Sequence, residues 1–140
     1  MSKGGILKIL LLLFSLGVLI SSYLYISKVV NAPVICPDTG CQVIADSPYS
    51  YFIGQPVALW GLMYFLGMFV ITVLLIKKEL HLLKSLYYVG VIVGVLFTLY
   101  LRYVEFFKVG AICVWCWASV VVMIGIIVFT LKMYSADRTK

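Results

Sequence analysis

The sequence predicts an all-α fold: an integral membrane four-helix transmembrane bundle with a short extracytoplasmic loop or helix between helices 1 and 2. Three observations carry this expectation. Of 140 residues, 64% are hydrophobic and only 11% are charged, where soluble domains hold about 25% charged residues. Mean hydropathy is +1.16. Four apolar runs each reach the roughly 20 residues that a helix needs to cross a bilayer, and none shows the period-2 alternation of an outer-membrane strand. The runs use most of residues 1–140, so the chain reads as a single transmembrane domain.

The first span, residues 6–26, holds one charge, Lys8, close enough to its end to snorkel into the headgroups. Its basic start is also a feature of secretory signals, but the apolar run exceeds the roughly 7–15 residues of a signal core, so it reads as a span. The second, 56–76, carries no charge and opens on Pro56, whose missing N–H is harmless in a first helical turn. Gly54, just ahead, favours a turn. The third, 85–104, runs into RYVEFF, where Arg102 and Glu105 can pair at i,i+3 near an interface. The fourth, 111–131, is free of charge.

Charge sets the orientation. Lys3, Lys8, Lys77, Lys78, Lys84, Lys132, Arg138 and Lys140 fall on one side of four spans, and Lys28, Arg102 and Lys108 on the other. Eight against three puts both termini in the cytoplasm and the loop of residues 27–55 on the extracytoplasmic side. All four cysteines, Cys36, Cys41, Cys113 and Cys116, then lie on the outer side, where disulfides persist. The net charge of +6 is thereby explained by topology, and a nucleic-acid partner has no support. The single histidine, His81, lies on the opposite side from every cysteine, which excludes a Cys-His nucleophile pair within the chain. Asp38, Asp46, Glu79, Glu105 and Asp137 are scattered and form no evident acid-base pair.

Cys36 and Cys41 bracket Pro-Asp-Thr-Gly. Proline presets one turn angle and glycine permits another, so the chain can double back as a short-loop disulfide requires. Cys113 and Cys116 stand three apart in the first turns of a helix, where free N–H groups and the helix dipole stabilise a thiolate. Two cysteine pairs on one side of a small bundle point to thiol-disulfide exchange. Inert staples are the structural alternative, and which cysteines are bonded at rest stays open, since four allow three connectivities. The C-x4-C spacing and the lipid-boundary position suit zinc poorly, so no metal is expected. Tyr49, Tyr51, Phe52, Trp60, Tyr103, Phe106, Phe107 and Trp115 cluster near the outer interface. Most read as an aromatic belt; a few walling a flat, lipid-dissolved quinone beside Cys116 would explain a thiol pair at membrane depth.

The pattern resembles the vitamin K epoxide reductase homologues. The matching features are CPDTGC, Ser47 six residues after the second loop cysteine, GQP followed by WG at helix 2, the aromatic third span, and a C-x-x-C that comes last, from about Ser15 to Phe129. The resemblance implies a stand-alone form, with no fused thioredoxin-like domain before the chain ends at Lys140. It implies a quinone-linked dithiol oxidoreductase that reoxidises a separate thioredoxin-like partner and passes two electrons to ubiquinone, menaquinone or a related naphthoquinone, supporting disulfide formation. By position, Cys36 is the shuttle cysteine, Cys41 relays to Cys113, Cys116 faces the quinone, and Ser47 supports the loop or ligand site. Ser47 reads equally as a helix N-cap ahead of Pro48. The asparagine and tyrosine that bind the vitamin in vertebrate members are replaced by Val57 and Val120, which favours quinone reduction over reduction of a vitamin K or naphthoquinone epoxide.

Overall fold

The computed structural model describes residues 2–36 and 40–139. The turn expected over Pro37, Asp38 and Thr39, and the terminal Lys140, lie outside the described residues. In chain order the elements are α1 (Lys3–Val30), α2 (Gly40–Asp46), a 3-10 turn (Pro48–Ser50), strands β1 (Tyr51–Phe52) and β2 (Gln55–Pro56), α3 (Val57–Lys77), α4 (His81–Val104), a π-helical turn (Glu105–Val109) and α5 (Val114–Arg138). The all-α expectation holds. Helices α1, α3, α4 with its π turn, and α5 are each long and apolar enough to cross a membrane, and the chain is an integral membrane protein.

Local chemistry sets the helix ends. The Ser2 hydroxyl accepts from the Gly5 amide at 3.3 Å, an N-cap that pairs one of the free donors of a first turn. At the other end Asn31 adopts φ 55°, a left-handed conformation that asparagine tolerates, and its N–H donates to the Lys28 carbonyl. Between α2 and α3, a two-stranded antiparallel hairpin pairs Tyr51 with Pro56 and Phe52 with Gln55, a feature not expected from the sequence. Ile53 and Gly54 form its tip at φ 53° and 75°, the left-handed pair that a tight hairpin requires.

Helix α1 is the centre of the bundle, packed on α3 and α5, while α4 closes the ring against both. Leu10, Phe14, Tyr87 and Ile126 are completely buried between the helices. Large side chains such as Leu12, Leu19 and Val121 point outward, where a bilayer would surround them. Since lipid is as apolar as leucine, close packing and internal hydrogen bonds must hold such helices together. Gly17 of α1 lets the Phe65 ring of α3 lie against its backbone, and Gly94 of α4 does the same for Tyr64. The Tyr87 and Thr130 hydroxyls share a buried hydrogen bond of 2.9 Å between α4 and α5.

The two ends of the bundle differ. At the end carrying the termini, Lys3 lies 2.9 Å from Glu79 and 3.0 Å from Asp137, and Lys84 approaches the same two carboxylates at 3.8 and 3.6 Å. This network joins the start of α1, the α3-α4 link and the end of α5. The hydrogen bond from Lys3 holds the Glu79 carboxyl below its usual range. The opposite end carries the cysteines.

Replacing Gly17 by alanine drives a methyl into the Phe65 ring and is expected to lower stability by about 1–3 kcal/mol. Gly67 has open space around it, so Gly67→Ala is expected to be neutral or stabilising by up to about 1 kcal/mol. Thermal unfolding of both variants in one detergent checks the contrast.

Candidate functional site

Beyond α1 a segment without regular structure leads to Cys36, which is bonded to Cys41 with their Cα atoms 6.4 Å apart. Cys41, in the first turn of α2, is buried, whereas Cys36 is half-buried. The residue before Cys36 is fastened on both sides. The Ile35 amide donates to the Tyr23 hydroxyl of α1 at 3.0 Å, and the Ile35 carbonyl accepts from Trp115 Nε1 of α5 at 2.8 Å. The Tyr23 and Trp115 rings meet at 4.8 Å, closing a clasp around this segment. Trp115 lies inside the C-x-x-C, so the same four residues that carry one cysteine pair also anchor the other.

Ahead of α5 the chain departs from α-helical geometry. The π turn ends at Gly110, whose φ of +68° suits glycine and whose N–H donates to the Glu105 carbonyl at 2.8 Å. An extended stretch leads to Cys113. The sequence reading placed both thiols within the first turns of the helix; instead Cys113 precedes it. At φ −108° and ψ 119° it occupies the N-cap, and its Sγ accepts from the Cys116 amide at 3.4 Å. A sulfur stands where serine or aspartate commonly does, because only an extended cap residue can aim its side chain at the free amides of the first turn.

Glu105 fixes this cap. Its side chain is 3% exposed, and Oε1 accepts from the Cys113 amide at 2.9 Å while Oε2 pairs with Arg102. The i,i+3 pair expected from the sequence is therefore present, but buried in the site. Arg102 in turn lies 5.8 Å over the Trp117 ring. A buried carboxylate is retained where its charge is balanced and both oxygens are bound, and here that balance also holds the backbone of a cysteine.

These elements enclose a cavity of about 600 Å³, within the range of small-molecule sites. Every long helix contributes to its wall, through Ser21, Tyr64, Phe97 and Val120. Cys41, Cys113 and Cys116 all line it, so three of the four cysteines share one space, while Cys36 lies outside its wall. Ser47 lines it too. Its hydroxyl donates to the Ile44 carbonyl at 2.8 Å, closing α2, and it makes no side-chain cap to the turn at Pro48. Of the outer aromatic residues, Tyr49 and Tyr51 border the cavity. Trp60 ties the hairpin to α3 through a 3.0 Å bond from Nε1 to the Phe52 carbonyl.

Sequence reasoning missed Tyr23, which carries no motif, and treated Trp115 as one of an aromatic set. It missed the role of Glu105 although a signal was present: an ionisable residue within a membrane-spanning stretch marks function more often than structure.

A membrane bundle with a bonded and an unbonded cysteine pair beside one largely apolar cavity is built for thiol chemistry in lipid. The chain belongs to the vitamin K epoxide reductase family, whose model matches residues 8–131. It is accordingly a membrane thiol oxidoreductase.

Glu105→Ala leaves the Arg102 guanidinium and the Cys113 amide without their carboxylate and is expected to destabilise the protein by about 3–5 kcal/mol. Glu105→Gln keeps an acceptor for the amide and is expected to cost less. Denaturant or thermal unfolding in detergent compares the two.

Proposed function

We propose that this protein oxidises a separate thioredoxin-like dithiol protein and delivers the two electrons to a membrane quinone, in support of disulfide formation. The observation that carries the reading is the convergence of Cys41, Cys113 and Cys116 on one cavity in the bundle. Family membership supports thiol chemistry, and the largely apolar cavity supports a lipid-soluble acceptor.

Each transfer is a thiol-disulfide exchange. A thiolate of the partner attacks Cys36, the Cys36–Cys41 bond breaks, and Cys41 leaves as a thiolate. The second partner thiol displaces Cys36, so the partner departs as a disulfide and the loop pair is left as a dithiol. Cys41 then attacks Cys113 of an oxidised Cys113–Cys116 pair and releases Cys116. Attack of Cys36 on Cys41 expels Cys113 and restores the loop disulfide. The loop pair is now bonded and the helix pair reduced, which is the arrangement of the present structure.

The residues fit a quinone. The cavity is large enough for a bicyclic head group, and Arg102 Nε is a buried donor without an acceptor among the described residues. A ubiquinone, menaquinone or related naphthoquinone supplies an acceptor of two electrons and two protons. Cys116 would face the bound quinone, and Cys113 would form the disulfide with Cys116 as the electrons leave. Val57 and Val120 in the wall offer no polar contact, which favours the quinone over its epoxide as substrate. Both termini are cytoplasmic in this proposal, with the cysteine end facing the extracytoplasmic side.

With reduced thioredoxin-like partner and menadione, purified protein is expected to reduce the quinone, and Cys116→Ala to lose roughly 100-fold or more of the rate. An unchanged rate would sink the relay. Cys41→Ser is expected to trap a thioredoxin-like protein on Cys36 in membranes, visible as a reducible adduct by mass spectrometry. Adducts to unrelated proteins alone would count against the partner.

A further inference from the structure

We infer that Arg102 is the residue that grips an oxygen of the acceptor, and that Glu105 positions it for that task. This assignment rests on the quinone reading above and adds to it the polar contact that selects a carbonyl-bearing ligand.

Among the described side chains that border the cavity, Arg102 is the one with a buried donor left without an acceptor. The hydroxyls of Tyr64, Thr98 and Ser119 border the space but already donate to the carbonyls of Gly90, Gly94 and Trp115 at 3.1, 2.8 and 3.3 Å. The Ser47 hydroxyl donates to Ile44. Val57 and Val120 have nothing to donate. Arg102 Nε is different: it is buried, and no acceptor reaches it among the described residues. A guanidinium carries five donors in a fixed plane, and the ion pair with Glu105 engages only one edge of it. A buried donor left without a partner is costly, so a ligand oxygen placed against Nε relieves a penalty that the free protein bears.

The position suits the chemistry. Arg102 shares the cavity wall with Cys113 and Cys116 and acts electrostatically on both. When the helix dithiol is oxidised, two electrons and two protons leave the two thiols, one S–S bond forms, and two carbonyl groups of the acceptor become hydroxyls. Negative charge develops on oxygen before protons reach it. A guanidinium keeps its own proton throughout and stabilises that charge in a site of low dielectric. Glu105 does not touch the acceptor; it is a positioning residue, joining the Arg102 side chain to the Cys113 amide.

Binding tests the assignment without relying on turnover. Menadione is titrated into the detergent-solubilised protein and its dissociation constant read from quenching of tryptophan fluorescence, with 2-methylnaphthalene as the same shape without oxygens. Single removal of Arg102 would leave Glu105 unpaired, so the variants are Arg102→Lys, which keeps the charge, and the double variant Arg102→Gln with Glu105→Gln, which removes both charges together. The double variant is expected to bind menadione about tenfold or more weakly, with Arg102→Lys between it and the wild type and 2-methylnaphthalene unaffected in all three. Equal menadione affinity in all three proteins would overturn the role of Arg102 while leaving the quinone reading intact. Parallel loss of both probes would overturn it as well, by showing a collapsed cavity. A wild-type protein that neither binds nor reduces menadione would instead overturn the quinone reading on which the assignment stands.

Discussion

Glu105 links two helices through a single carboxylate, pairing with Arg102 behind it and receiving the Cys113 amide in front. Inside a bilayer a backbone N–H that leaves regular helix has no water to bond, so irregular backbone survives only where protein supplies the partner. The stretch from the π turn to Cys113 is irregular backbone joining two such spans, and Glu105 supplies the partner for the Cys113 amide. Gly110 turns the chain off the helical path, and the carboxylate then pairs the amide of Cys113, whose sulfur caps α5. The geometry of the helix cysteine pair thus follows from a charge that composition alone would have placed at the membrane surface.

The bundle separates its two kinds of polar chemistry by distance. Lys3, Glu79, Lys84 and Asp137 hold the ends of helices together at the terminal face, where exposed pairs contribute modestly. The middle is held by ring-on-glycine contacts at Gly17 and Gly94 and by the Tyr87–Thr130 hydrogen bond. At the cysteine end the helices leave a cavity, and there the walls combine apolar side chains with a buried ion pair.

Much of this was readable in the sequence. Hydrophobic runs fix helical spans because backbone groups in lipid must be satisfied within the segment, and the family emerges from the order of the cysteine motifs. The hairpin was not readable, since its two-residue strands are too short to show alternation and Ile53 is an unusual residue for a left-handed turn. Nor was the clasp around Ile35, which depends on residues separated by 12 and 80 positions. Local patterns describe elements; the meeting of Tyr23, Ile35 and Trp115 exists only once three elements are packed. Cys113 as a cap was missed for a subtler reason: the run from Ala111 is apolar throughout, so hydropathy marks where the membrane begins and not where the helix does.

The clasp gives the loop a graded mobility. Residues 32–36 belong to no helix or strand and are moored at Ile35 by two hydrogen bonds from different helices. Each such bond is worth about 0.5–1.5 kcal/mol net, so releasing both costs roughly 1–3 kcal/mol, a local opening far below global unfolding. At that cost between about one molecule in six and one in two hundred has the segment unmoored at a given moment. Ile35 is thus held in register with the bundle most of the time, while the Cys36–Cys41 bond keeps the next residue beside α2 even when the two hydrogen bonds open.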